Sequence, residues 1–393
     1  MYASEQCRVI REMLVYLANV VGVYMPKNSG FHVRFTYVII LSLIWNVMFI
    51  NGIYQSLNDA YKLLHALFPV TLIMAFTGRA INIVYRKSES LDKELHEKSE
   101  KFYQKYENNK NFKSLMTKRS QESSKYTKIL IYAIFCVYNM PAMNSFMEFL
   151  FKGEKFLFVN NFLPYTDAQT NFGFWLNFIL LVSMQPFCVI SLVIFDAIFL
   201  FYGYQTVPRC DIICEKLKIL AEKIHKSDEN SIFDNTKQRN EIESFKIQLI
   251  EIINEHQDFN EYIKFFIYTT EISCFTTTIF NAISIGMSIT LSFKVSVSIG
   301  ISFGLLLILE CFSSCYIGSK ISSQKKRILD QLLYFPWQNL CQIDRKIFFQ
   351  FICVAQATSE YEIPMIKKIS MKKFKDIILT SYTYFNYCWN FMK

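Results

Sequence analysis

Four charged side chains interrupt long apolar runs in this chain: Arg79, Asp196, Glu271 and Glu310. Charges inside such runs are costly, so they pair, accept hydrogen bonds or face water. Two chemistries could use them. One is a structural ion pair of Arg79 with Asp196 or Glu271. The other is a proton relay, which needs ionisable groups along the whole depth of the runs. All four fall toward the same ends of their runs and the opposite ends carry none, so a relay is not supported. The charges either form that pair or mark where the runs emerge at a water interface. The five histidines are scattered, and no nucleophile has a base beside it at motif spacing. The 11 cysteines include no CxxC. Cys136, Cys188, Cys274, Cys311, Cys315 and Cys388 lie in apolar runs and read as buried thiols. Cys311 and Cys315 share a helix face by spacing, but no His or acidic cluster completes a metal site. No enzymatic reaction, cofactor or metal is expected.

The elements that position these residues follow from composition. Of 393 residues, 52% are hydrophobic and 17% aromatic, while 19% are charged. A soluble chain carries about 25% charged residues. The charges here are clustered, so uncharged runs alternate with charged blocks, as in membrane proteins. A spanning helix needs about 20 largely apolar residues. Candidate spans are Phe35–Tyr54, Leu63–Tyr85, Ile129–Phe151, Gly173–Tyr202, Phe265–Phe293, Val295–Ile317 and Ile377–Met392, with a tight link at Lys294. Ile347–Ala357 is too short to cross and reads as a helix outside the bilayer. The fold class is therefore all-α with seven spans.

Lys and Arg concentrate in 1–34, 86–126, 203–262 and 318–376, which places these segments and the N-terminus in the cytoplasm and the C-terminus outside. The same clustering assigns the net charge of +9 to membrane orientation rather than to nucleic acid. The N-terminal "MLVYLANVVGVYM", preceded by Arg8 and Arg11, reads as an uncleaved amphipathic helix at the interface. Segments 86–126 and 203–262 carry amphipathic helical extensions of the spans. With 318–376 they form a cytoplasmic helical layer whose apolar faces need a partner. The chain thus divides into a cytoplasmic segment 1–34, spans one to six over 35–317, anchor helices over 318–376 and a seventh span at 377–393.

The outer halves of the spans hold aromatics, methionines and a few polar groups. Phe68, Leu72 and Phe76 lie in span two. Tyr138, Asn139, Met143 and Phe146 flank Pro141 in span three, which is expected to kink there. Phe178 and Met184 lie in span four and Phe280 in span five. As a group they could line a pocket for a small apolar ligand, with Tyr138, Asn139 and Asn144 as polar handles. Gly286, Gly300 and Gly304 in spans five and six favour close helix packing.

Several stretches, in order, resemble one family. These are "FLPY" before span four, "IINEHQDFNEYIKFF" with His256 before span five, "LLYFPWQNL", "DRKIFFQFICVAQAT" and the C-terminal "TSYTYFNY". The chain resembles the insect odorant receptors over nearly its whole length. The resemblance implies an odorant-binding tuning subunit of a ligand-gated, non-selective cation channel in the plasma membrane of a sensory neuron. It implies a heterotetramer with a coreceptor, held by the cytoplasmic anchor helices within membrane lipid, and opened by a volatile small molecule. The coreceptor has a larger insert in its second cytoplasmic loop, and this chain's is short. The seventh helix is split, with a cytoplasmic part at Ile347–Ala357 and a pore-lining part at Ile377–Met392. In a helix Thr380, Tyr384, Tyr387 and Phe391 share a face. If that face lines a pore, Tyr387 and Phe391 form a hydrophobic constriction that gates by dewetting, and Asn390 beside it contacts permeating ions. The family's gate is typically aliphatic in the coreceptor, so these aromatics depart from it. The alternative is that the face packs on spans five and six. A second alternative concerns the branch. Thr383-Tyr384, five residues, then Asn390-Phe391 is one substitution from the ending of the gustatory receptors, which share the fold. A secondary transporter would need inverted repeats or outer-half charges, and neither is present.

Overall fold

The computed structural model describes residues 3–21, 31–60, 62–70, 88–155, 157, 162–167, 169–230, 235–294, 297–357, 362–363 and 367–391. Leu72, Phe76 and Arg79 lie outside the described residues, as do the side chains of Met184 and Phe391. The fold is helical, apart from a two-stranded antiparallel pair joining Glu362–Ile363 to Lys367–Lys368. The helices are α1 (Ala3–Val21), α2 (Phe31–Ser56), α3 (62–70), α4 (Ser88–Glu107), α5 (Lys110–Lys152), α6 (Asn171–Tyr204), α7 (Thr206–Asn230), α8 (Asn235–Lys294), α9 (Val297–Leu333), α10 (Gln342–Ala357) and α11 (Met371–Phe391).

The polar segments flanking the apolar runs are helical. α8 runs for 60 residues without a break, from a polar start at Asn235 into the apolar stretch that ends at Lys294. α7 follows α6 across Gln205 alone. Among the described residues, three helical segments are long and apolar enough to cross a membrane: Lys110–Lys152, Phe245–Phe293 and Val297–Leu333. Asn171–Ser183, the start of α6, is a shorter apolar stretch.

Local signals set the helix ends. Asn109 caps α5 by accepting the amide of Asn111 at 3.0 Å, and Gly153 closes it in the left-handed region at φ 68°. Pro141 lies inside α5, which continues through it. Thr170 caps α6 through the Gly173 amide at 3.0 Å.

Packing then joins the helices. α8 lies against both α9 and α11, and α5 against α6 and α9. Two glycines permit close approaches. A Cβ on Gly286 of α8 would stand 2.7 Å from the Ser381 carbonyl oxygen of α11. One on Gly300 of α9 would stand 2.1 Å from Ser292 Oγ of α8. α1 is amphipathic as its sequence predicts, but its stripe of Ala3, Cys7, Ile10 and Leu14 is buried within the protein core. It packs on α4, α5 and α6, with Ser4 Oγ donating to Glu107 Oε2 at 2.5 Å. The interrupting charges also turn inward. Asp196 and Glu310 are buried, Glu271 is half-buried, and Asn281 Nδ2 of α8 donates to Glu310 Oε2 of α9 at 2.9 Å. Burial among helices, rather than emergence into water, is how the fold accommodates Asp196 and Glu310.

Candidate ligand site and pore-facing helix

The residues expected to bind a ligand fall into two aromatic groups. The first is centred on Phe303 of α9, which the sequence pattern did not single out. Phe68 of α3 meets it edge-on at 5.0 Å between centroids, and Tyr138 of α5 meets it at 6.3 Å. Gln185 of α6, itself buried, donates through Nε2 to the Tyr138 carbonyl at 2.8 Å, tying α6 to α5. Phe68 is fully buried and Tyr138 half-buried. This group therefore combines an apolar wall with a phenol.

The second group lies between α5 and α6. Phe146 stacks on Phe178 at 6.4 Å and meets Trp175 edge-on at 6.4 Å, and Phe174 and Phe149 extend the stack. The loop before α6 closes around Asn177, which is fully buried. It accepts the Leu163 amide at 2.8 Å and donates to Gly173 O at 2.7 Å. Asn51 of α2 reaches the same loop, donating to the Phe162 carbonyl at 2.8 Å.

Other expected residues are placed differently. Asn139 donates to Phe135 O of its own helix at 2.7 Å. Met143 is 64% exposed on the single chain. Phe280 is half-buried on α8.

On α11 two faces separate. Ile377 and Ser381 are buried, and Phe385 and Trp389 both reach Phe293 of α8, each at 6.1 Å. The opposite face of the single chain exposes Thr380, Tyr384, Tyr387 and Asn390. Thr380 Oγ1 donates back to Asp376 O of its own helix at 2.8 Å. Tyr384 borders both faces, because its Cβ also lies at the close approach of Gly286 of α8.

Beneath the apolar runs lies a dense charge network. Asp211 of α7 is buried and accepts Arg119 Nε of α5 at 2.7 Å and Nη1 of Arg327 of α9. Arg119 also reaches Glu122 at 2.7 Å, and Tyr204 donates to the same carboxylate at 3.0 Å. Burial acts against that carboxylate's charge, but these donors outweigh it and hold Glu122 below its ordinary pKa. Nearby, Glu255 of α8 gathers Lys216 at 2.6 Å, Lys105 at 3.2 Å and the Tyr106 hydroxyl. His256 is buried against Phe351 of α10 and within 3.2 Å of Asn260 Nδ2. Burial, with Lys325 adding to it, pushes its pKa down to about 4.

This arrangement is that of a helical membrane-type protein with two aromatic groups among its helices and a separate charged layer. The profile of the 7tm odorant receptor family matches residues 59–382, and the chain belongs to that family. It is a class of receptors rather than of enzymes. The fold matches the solved insect olfactory receptor OR5 from Machilis hrabei with a TM-score of 0.66 at 12% identity, covering 97% of this chain and 98% of that one. The same receptor in complex with eugenol matches with a TM-score of 0.66 at 12% identity, over 98% of this chain and 99% of that one. No curated protein matches the sequence.

Proposed function

We propose that this chain is the odorant-binding tuning subunit of a heteromeric, ligand-gated cation channel in a sensory neuron's plasma membrane. Family membership and the eugenol complex of a structural relative support the ligand class, a small volatile molecule. The observation that carries the channel reading is the division of α11. One face is spent on α8, which Tyr384 also borders, while Thr380, Tyr387 and Asn390 are left to something outside the chain. In a ring of subunits that face lines the pore. Tyr387, with Phe391 a turn further on, forms an apolar constriction that excludes ions by dewetting.

On this reading the N-terminus is cytoplasmic and seven spans cross the bilayer. The ligand sits in the outer half among Phe68, Tyr138, Phe146, Phe178 and Phe280, with Leu72, Phe76, Asn139, Met143 and Met184 completing the region. Phe303 joins them by its contacts with Phe68 and Tyr138. The ligand opens the channel only by binding the open arrangement of α11 more tightly.

The test is whole-cell current in a non-insect cell expressing this chain with an insect odorant coreceptor, challenged with a panel of volatiles. Cation current is expected only when both chains are present. Tyr387→Ala is expected to raise the current without ligand by removing an apolar side chain from the constriction. Current from this chain alone, evoked by sugars or bitter compounds, would move it to the gustatory branch. Substrate flux without channel current would overturn the channel reading.

A further inference from the structure

A cavity of about 290 Å³ opens between α4, α7 and α8, away from both aromatic groups. It lies where the apolar runs of α6 and α8 give way to their charged extensions. Tyr262, on its wall, donates to the Tyr202 carbonyl near the end of α6 at 3.0 Å. At its base is Arg209, which is 7% exposed. The guanidinium lies between two rings, 4.4 Å from the centroid of Phe102 and 4.2 Å from that of Tyr262. Its Nη2 donates to Lys98 O at 2.9 Å, and its Nε has no hydrogen-bond partner. Among the described residues no carboxylate stands at ion-pair distance from it, although Asp258 attracts it from farther off. A guanidinium offers five N–H donors and is expensive to bury without a counter-charge. In the same layer Asp211 is matched by two arginines. Arg209 has no such ion pair among the described residues, and it lines a cavity.

The rest of the wall narrows the chemistry. Lys98, Lys101 and Lys105 of α4 line one side, and Asp258 and Glu261 of α8 line the other. Lys105 is engaged with Glu255, and Lys98 with Glu94 at 3.4 Å. A simple anion would meet Arg209 and Lys101 but also Asp258 and Glu261, beside a Glu255 already held by Lys105 and Lys216. A head group carrying a phosphate together with hydroxyl or ammonium donors satisfies both sides. The phosphate takes the remaining Nη N–H groups of Arg209 and the Lys101 ammonium, and the donors face Asp258 and Glu261.

We propose that this cavity binds a phosphate-bearing polar head that also carries hydrogen-bond donors. A membrane lipid at the inner face could supply it, or a soluble phosphorylated metabolite. The two aromatic planes hold the guanidinium in place before the ligand arrives, which lowers the cost of ordering it on binding. An occupied site would join α4, α7 and α8 through one head group.

The test uses the purified full chain in detergent, with binding followed by native mass spectrometry and by the thermal unfolding midpoint. The probes are a short-chain phosphoinositide, a short-chain phosphatidylethanolamine, the soluble inositol phosphate head and inorganic phosphate. Saturable binding of at least one organic probe is expected, weakened about tenfold or more in Arg209→Gln, since hydrogen bonds to charged groups carry that much. Lys101→Glu, at an exposed position where folding is not at stake, is expected to weaken the same probe. Binding of the lipids but not of the free head assigns the source to the membrane. Equal binding of the free head assigns it to a soluble ligand. The proposal is overturned if no organic probe saturates, if inorganic phosphate competes equally well, or if both variants bind like the parent. None of these readouts depends on volatile-evoked current, so this site and the channel reading fail separately.

Discussion

At the scale of single residues, the clearest dependence on structure is in the inner charge layer. Asp211 is 2% exposed and holds two arginines from different helices. Replacing it with alanine leaves both cations facing each other across a buried gap. Breaking a buried pair costs about 3–5 kcal/mol, and water around the partly exposed arginines reduces that to roughly 2 kcal/mol. Asp211→Ala should therefore lower the unfolding midpoint clearly, while Glu94→Ala, at an exposed i,i+4 pair, should barely move it. His256 gives a dependence on pH. Its folded pKa of about 4 lies below the ordinary 6.5, because burial and Lys325 disfavour the imidazolium. The sign follows from linkage: the stabilisation is complete above 6.5 and is lost as pH falls through that value toward 4. A loss on the order of 2 kcal/mol across this window is expected. Thermal melts between neutral pH and pH 5 would measure it, and His256→Phe should flatten the profile. An unchanged slope in that variant would remove His256 as the cause.

At the scale of elements, the contact between α8 and α11 is the one on which function depends most directly under the channel reading. Gly286 brings the two backbones together, and an added Cβ would lie 2.8 Å from Tyr384 Cβ as well as 2.7 Å from Ser381 O. Both neighbours are fixed by the helix, so Gly286→Ala must push α11 outward. A cost of about 1–3 kcal/mol is expected from such overpacking. Gly304→Ala is the matched control, because its nearest neighbour is the rotatable Ser288 Oγ at 3.0 Å. The first variant should melt lower and change the ratio of basal to evoked current, and the second should do neither. The sequence made much of this legible. Periodicity alone showed that the segment before span five is an amphipathic extension, and it runs into the span as α8. It also placed Gly286 and Gly300 at close helix contacts. What it could not show is which helix each face meets. Phe303 is one phenylalanine among 38, and nothing local marks it as the ring that Phe68 and Tyr138 share. Asn281 was equally silent, because its role is defined only by Glu310 on the next helix. Arg209 lay within a basic loop that orientation in the membrane already explained. Only tertiary packing shows that it is buried between two rings.

At the scale of the whole molecule, the surface left without an occupant lies around α10. α10 buries Phe348 and Phe351 toward the chain's own core, where Phe348 stacks on Phe335 at 4.8 Å. Ile343 is 66% and Val354 51% exposed along α10, Phe349 lies half-out beside the Trp337 ring, and Tyr334 at the end of α9 is 86% exposed. Scattered apolar residues at a surface need no explanation, but a patch of large ones does. Under the heteromeric reading, this patch is where neighbouring subunits meet. The consequence is specific. Ile343→Glu combined with Tyr334→Lys places charge in the patch without touching the buried face of α10. The double variant should keep the parent's unfolding midpoint as an isolated chain, because it removes no internal contact. It should also fail to co-purify with a tagged coreceptor and give no volatile-evoked current. Phe348→Ala would instead destabilise the chain itself, by about 3–5 kcal/mol for a buried phenylalanine. If the double variant assembles and conducts normally, the patch is covered by something other than a subunit, and the anchor must be sought on another face of the layer.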